Sequence, residues 1–146
     1  MLNRRAFVRE LDRALAMVDR YHIPASLVFI DLNDLKVIND TMGHGAGDAA
    51  LAHVGKTITK HIRQTDVVGR LGGDEFGLLL VQAGREVAEK KAAELSTAIS
   101  QSPVAFNGKS FQAKIAWGAI EIERVISLEQ AMENADTAMY RAKQQK

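Results

Sequence analysis

Asp31, Asp74 and Glu75 are the residues of this chain whose types and settings could do chemistry together. Asp31 closes the apolar run Leu27-Val28-Phe29-Ile30 inside FIDLNDLKVIND, and Asp74 and Glu75 follow two glycines inside RLGGDEFGLLL. A carboxylate at a strand end beside carboxylates at a hairpin tip assembles oxygen ligands for Mg²⁺. That ion takes one or two carboxylates and leaves its other positions to water, carbonyl oxygen and phosphate. Gly72 and Gly73 let a phosphate come close to the backbone. The chemistry such a set supports is metal-assisted phosphoryl or nucleotidyl transfer. Taken singly, each feature is bland: a Gly-Gly-acid turn is an ordinary hairpin, and an acid after a strand is an ordinary cap. The conjunction is what points to a site.

Composition narrows the options. There is no cysteine, so thiolate metal sites, disulfides and cysteine nucleophiles are excluded, and a metal must sit on oxygen or imidazole. The histidines do not form a ligand set: His22, His53 and His61 are dispersed, and His44 in a Gly-His-Gly break reads as a structural hydrogen bonder. Nineteen Lys and Arg nearly cancel eighteen Asp and Glu, leaving +1, so neither nucleic acid nor a membrane surface is expected as a partner. With 47% apolar and 25% charged residues, the chain reads as one globular domain over 1–146. No apolar run reaches the ~20 residues of a membrane span, and no apolar stretch or cleavage site follows Arg4-Arg5 as in a secretory signal. A soluble, cytoplasmic domain is expected. Its start almost inside a helix and its end at Gln144-Gln145-Lys146 suggest a piece of a longer protein.

The elements that must position these acids follow from periodicity. Phe7, Leu11, Ala14, Leu15 and Val18 predict an amphipathic helix stopped by Pro24. Leu27 to Ile30 predicts a buried central strand. A short helix over Asp34–Asp40 and a glycine-rich break over Gly43–Gly47 precede a helix opened by Asp48, with Leu51, Val54, Ile58 and Ile62 on one face. Asp66–Leu71 and Glu75–Val81 predict a hairpin whose Gly72-Gly73-Asp74 turn uses the positive φ open to glycine. A helix over Arg85–Ser100 follows. Asn107-Gly108 marks a second hairpin, between Val104–Phe106 and a long strand over Phe111–Ile122. Ser127 and Gln130 resemble a capping box before a last helix with Leu128, Ala131, Ala135, Ala138 and Met139 inward. The fold class is α/β, an α/β sandwich with a mostly antiparallel, five-stranded central sheet flanked by helices.

With these residues in place, the sequence resembles the GGDEF domains, whose active members are diguanylate cyclases. The signature stands at Gly72-Gly73-Asp74-Glu75-Phe76. Asn3-Arg4-Arg5 and Phe7 resemble the family's N-terminal helix motif, and Asp31 to Asp40 its strand-end motif. Gly43-His44 with Gly47-Asp48 is similar to its GHxxGD, Arg70 precedes the signature, and Ala135-Asp136, Met139-Tyr140 and Ala142-Lys143 are similar to its C-terminal helix motif. The resemblance implies a nucleotide-cyclase or palm-like sheet with the signature on a hairpin. It implies condensation of two GTP into cyclic di-GMP with release of two pyrophosphates, dependent on Mg²⁺ or Mn²⁺. By position, Asp31, Asp74 and the Leu32 carbonyl match the metal ligands, and Glu75 a metal or base candidate. Asn39 and Asp48 match the guanine-recognising pair, Lys36 and Lys143 the triphosphate lysines, and Gly72 and Gly73 the close backbone approach. Catalytic roles fall to Asp74, Glu75 and Lys36.

The resemblance further implies that one domain holds one GTP, so that a homodimer is needed for catalysis, and that a sensor or regulatory domain adjoins this one in a longer signalling protein. Arg63-Gln64-Thr65-Asp66 lies five residues before the signature, where the family has its RxxD product-inhibition site for cyclic di-GMP; the bland reading is a solvated charged turn. There are departures. Asn33 replaces a second Asp, Asp34-Leu35 replaces bulky residues, and Ala116-Trp117-Gly118 replaces Ser-Ile-Gly, with Trp117 reading as a core filler. The family's Gly-Arg-Asn after the last helix is absent. They leave a second reading open: a catalytically silent module that binds GTP or cyclic di-GMP as a receptor.

Overall fold

The stripe Phe7, Leu11, Ala14 and Val18 is the buried face of α1 (Arg4–Tyr21), in a computed structural model that describes residues 1–144. Asn3 caps the helix start by accepting from the Ala6 N–H at 2.9 Å. The helix stops before Pro24, because His22 turns left-handed (φ 57°) and donates its N–H to the Val18 carbonyl. The chain then enters β1 (Ala25–Leu32), in which every residue is buried. Val28, Ile30 and Leu32 join one core and Ala25, Leu27 and Phe29 the other, so this strand is covered on both faces and reads as an unbroken apolar run.

Next come α2 (Leu35–Met42) and α3 (Ala46–His61), then β2 (Val67–Arg70), β3 (Glu75–Val81) and α4 (Arg85–Gln101). Residues 104–121 carry β4 (Val104–Phe106), β5 (Lys109–Phe111) and β6 (Ile115–Glu121), and α5 (Leu128–Gln144) follows. The sheet order is β2-β3-β1-β6, with antiparallel neighbours throughout. Helices α3 and α4 cover one face through Leu51, Val54, Ile58, Ala88, Leu95 and Ile99. Helices α1 and α5 cover the other through Phe7, Leu11, Ala135 and Met139.

Four expectations are corrected. The central sheet has four strands, not five: β4 and β5 form a two-stranded ribbon of their own. The expected strand over Phe111–Ile122 divides at Gln112–Lys114, where the Lys114 carbonyl accepts from the Asn33 N–H at 2.8 Å, so its first part pairs with β4 and its second with β1. The Gly72-Gly73 turn does not use positive φ; Leu71 and Gly72 N–H groups both donate to the Glu75 carbonyl, at 2.8 and 3.4 Å. At α5, Ser127 Oγ accepts from the Gln130 N–H at 3.0 Å, but the Gln130 side chain donates to Asn134 instead of completing a reciprocal box. Trp117 is half-buried on the edge strand β6, packed against the α3–α4 core. One residue on, a Cβ at Gly118 would lie 2.1 Å from the Met139 nitrogen, so α5 crosses β6 in backbone contact there. Among the described residues no helix is long and apolar enough to cross a membrane.

Candidate active site

The antiparallel register of β1 and β3 sets Asp31 opposite Glu75, and on the other side β6 sets it opposite Ala116. One step along, the Leu32 N–H donates to the Asp74 carbonyl at 3.0 Å. Strand pairing alone thus gathers Asp31, Leu32, Asp74 and Glu75. Asp31 is only 6% exposed, while Asp74 and Glu75 at the hairpin tip are half-buried. Lys143 reaches in from the last turn of α5 and donates to Asp31 Oδ2, closing a contact across 112 residues of sequence. The other oxygen, Asp31 Oδ1, is buried with no hydrogen-bond partner.

The electrostatics follow from this crowding. Burial raises the pKa of Asp31, and the hydrogen bond from Lys143 opposes it; the nearby Asp74 charge raises it further. Burial also raises Glu75, helped by repulsion from Asp136 and Asp31 and opposed by Arg4. The bond to Asp31 raises Lys143, against desolvation. Among the described residues no group of three or more Asp, Glu, His and Cys side chains is arranged to hold a metal. The candidate donor set is two carboxylates and a backbone carbonyl: Asp31, Asp74 and Leu32. It fits a hard divalent cation on two counts. Every donor is an oxygen, and a buried carboxylate oxygen lacks the partner it needs.

The hairpin tip is held by a residue whose role the sequence does not reveal. Arg70, last in β2, donates through Nε to the Gly72 carbonyl (3.3 Å) and through Nη2 to the Gly73 carbonyl (2.6 Å). Arg4, from the first turn of α1, donates to the Leu71 carbonyl at 3.3 Å. Two guanidinium groups therefore fix the loop that presents Asp74 and Glu75. Arg70 also lines a cavity of about 380 Å³ with Asp48, Leu51, Lys56 and Phe76.

Asn39 and Asp48 flank the α2–α3 turn. Asn39 Oδ1 accepts from the Gly47 N–H at 2.8 Å, which leaves the Nδ2 hydrogens to donate outward. Asp48 is exposed in the first turn of α3. Lys36 is exposed in the first turn of α2, and His44 is exposed in the intervening loop.

Arg63 and Asp66 lie apart from all of these. Arg63 grips Asp66 through its N–H (3.0 Å), Nε (3.2 Å) and Nη2 (2.9 Å), and Nη2 also reaches the Val81 carbonyl at 2.5 Å. Val81 is at the far end of β3 from Glu75, roughly 20 Å away at strand spacing. The pair borders a groove of about 460 Å³ with Leu2, Glu10, Thr59 and Val67, which adjoins the Arg70–Asp48 cavity at Met1 and Thr59.

A family profile described as "Diguanylate cyclase, GGDEF domain" matches residues 1–146. The chain belongs to the GGDEF family. The probable diguanylate cyclase DgcE of Escherichia coli (strain K12) is 35% identical over 144 residues, which are 98% of this chain and 13% of that protein. The diguanylate cyclase TpbB of Pseudomonas aeruginosa is 34% identical over 145 residues, 98% of this chain and 33% of that protein. This GGDEF domain therefore spans a third or less of these relatives. Among solved structures, the GGDEF domain of DgcB from Caulobacter crescentus in complex with c-di-GMP superposes with a TM-score of 0.92 at 28% identity, covering 97% of this chain and 82% of that one. The antiparallel sheet flanked by helices is the family's architecture.

Proposed function

We propose that the domain is a diguanylate cyclase that condenses two GTP into cyclic di-GMP and two pyrophosphates. The observation that carries this reading is the β1–β3 register, which sets Asp31, with its unpartnered buried oxygen, beside Asp74 and Glu75. Asp31, Asp74 and the Leu32 carbonyl would hold Mg²⁺ or Mn²⁺, which when bound supplies charge neutralisation at phosphate and acidification of a hydroxyl.

The chain's own groups do the remainder. Asn39 donates through Nδ2 to an acceptor on the guanine edge, while Asp48 accepts from N1–H and the exocyclic amine. Adenine offers neither of those donors together and leaves the carboxylate unpaired. Lys36 and Lys143 meet triphosphate oxygens as compact charges, and Arg70 keeps the Gly72-Gly73 backbone in place for close phosphate approach. The 3′-oxygen of one GTP bonds to the α-phosphorus of the other as the bond to pyrophosphate breaks, and Glu75 accepts the hydroxyl proton. A second such step closes the ring. One domain carries one set of these groups, so two domains must face each other.

Arg63 and Asp66 form a second, product-binding site on this reading. The described bonds of Arg63 use its main-chain N–H, Nε and Nη2, so Nη1 remains to donate to a product phosphate. An adjoining regulatory domain in the longer protein fits the fraction of its relatives that the chain spans.

The second reading is a silent module that binds nucleotide without turnover. Two observations favour it: Lys143 engages Asp31, and Asn33 stands where the family carries a further Asp. Incubation of concentrated protein with GTP and Mg²⁺, followed by chromatography for cyclic di-GMP and pyrophosphate, separates the two. Product formation that Asp74→Ala abolishes supports the cyclase. Nucleotide binding without product supports the silent module.

A further inference from the structure

We infer that Phe106, on the β4–β5 ribbon, is a positioning residue for base recognition, acting through the Gly43–Gly47 turn; this rests on the reading of Asn39 and Asp48 as guanine contacts. The tip of the ring lies against the turn's two positive-φ glycines. A Cβ at Gly45 would sit 3.4 Å from Phe106 Cζ and 3.5 Å from Cε1, and one at Gly43 would sit 3.9 Å from Cε2. On the turn's other side, a Cβ at Gly47 would sit 2.7 Å from Leu35 Cδ1 and 2.8 Å from Asn39 Nδ2. The turn is thus held between Phe106 and the Leu35–Asn39 face of α2.

Main-chain bonds close the turn, from the Gly43 N–H to the Asn39 carbonyl (3.0 Å), from Ala46 to Gly43 (3.1 Å) and from Ala49 to Gly45 (3.1 Å), while side-chain restraint is sparse. Neither α2 nor α3 has a side-chain hydrogen bond at its N-cap, and Gly43 and Gly45 both take positive φ (111° and 92°), a conformation that glycine adopts without a side-chain penalty. Among the described residues, the one side-chain hydrogen bond onto the turn runs from the Gly47 N–H to Asn39 Oδ1. That bond fixes which end of the Asn39 amide faces a ligand. If the turn drifts, Asn39 is freed to rotate and Asp48, next to Gly47, drifts with it.

The ribbon is built to hold such a buttress still. Asn107 and Gly108 take φ 49° and 75°, the two-residue hairpin turn that matches strand twist. Two strands alone are marginal, but Val104 is buried in the α3–α4 core, which ties the ribbon down at one end while Phe106 meets the turn at the other. Base recognition tolerates misplacement of about an ångström poorly, so an apolar ring 67 residues from Asn39 and 58 from Asp48 acquires a functional role.

The test is calorimetric titration of GTP and ATP into the wild-type protein, Phe106→Ala, Phe106→Leu and Asn39→Ala, with amide exchange in parallel. Phe106→Ala should weaken GTP about tenfold, or about 1.4 kcal/mol, and lower the preference over ATP by the same factor. Amides of Gly45 to Asp48 should exchange faster while those of β1 and β3 stay protected. Phe106→Leu keeps apolar bulk but not the ring and should weaken GTP about threefold; if the alanine variant does not fold, wild-type nucleotide binding by Phe106→Leu alone overturns the buttress role. If Asn39→Ala loses GTP while both Phe106 variants bind both nucleotides as the wild type does, the buttress role is overturned and the base site stands. If Asn39→Ala leaves GTP binding intact, the base-site reading falls and the inference with it.

Discussion

Lys143 and Asp31 pose the clearest residue-scale question, because one carboxylate is shared between an internal cation and the site's chemistry. Asp31 is buried and Lys143 about one-third exposed, so the pair is screened on one side only. Lys143→Met should cost about 1 kcal/mol of stability, discounted for that screening, in urea unfolding with a chelator present. Asp31→Asn in the Lys143→Met background should cost less than in the wild type, since the lone charge it removes has already lost its partner. Additive effects would mean the contact does not couple the two residues. Arg63→Ala should cost about 1–2 kcal/mol, because Asp66, with a side chain 1% exposed, loses all but a backbone donor. It should also weaken cyclic di-GMP binding by tenfold or more while leaving GTP unchanged, in titrations of each ligand. Equal cyclic di-GMP affinity would reduce Arg63-Gln64-Thr65-Asp66 to a structural turn. The sequence singles out Asp31, Asp74 and Glu75 because carboxylates are the residue types that an oxygen-ligated metal would take, and the strand register brings them together. It is silent on Arg70 and Arg4 as loop clamps, because their targets are main-chain carbonyls, which every residue has.

At the scale of elements, two positions test how the frame is held. Gln82 follows β3 with φ 52°, a conformation that an L side chain adopts at a cost of about 1 kcal/mol or more. Gln82→Gly should therefore raise the melting temperature by a few degrees; no change would mean that the side chain stabilises the turn by as much as the backbone strains it. Gly118→Ala should do the opposite, because the new Cβ meets α5 backbone at 2.1 Å, which cannot swing aside as a side-chain tip could. The helix must shift, and Lys143 moves with it off Asp31, so the variant should unfold at lower temperature and become insensitive to a further Lys143→Met. Apolar periodicity placed every helix and the core faces of β1, because burial repeats with the geometry of each element. It missed the break inside residues 111–122, since Ala113 at 0% exposure and Ile115 continue the apolar pattern through it. What divides that segment is pairing: Phe111 faces Val104, and Ile115 faces Leu32. Partner choice is a tertiary fact that a local pattern does not contain. The positive φ was likewise expected at Gly72-Gly73 and found at Gly43, Gly45 and Gly108, because two guanidinium groups shape the signature turn without it.

For the whole molecule, the proposed cyclase reading sets a number that a single chain does not satisfy. That reaction would join two GTP, each supplying a 3′-hydroxyl to the α-phosphorus of the other. Among the described residues the domain has one such strand-end carboxylate, Asp31, one Gly72–Glu75 hairpin tip and one Asn39–Asp48 pair, and Asp74 and Glu75 are open enough to face a second copy. On that reading an isologous C2 pairing would bring two such sets together, with each domain orienting its own nucleotide. GTP binding per chain should then be independent of protein concentration, while specific activity climbs with it until the chains are paired. A mixing experiment reads the same requirement directly. Asp74→Ala chains keep their base-recognition pair and their core, so they should pair with wild-type chains and contribute an unreactive half. With total protein held at saturating pairing and half of it Asp74→Ala, roughly a quarter of the activity should remain, because only pairs of two wild-type chains turn over. Activity falling in direct proportion to the wild-type fraction would mean that a chain acts alone. It would also mean that the second nucleotide is held by groups of the same domain outside the set gathered at β1 and β3.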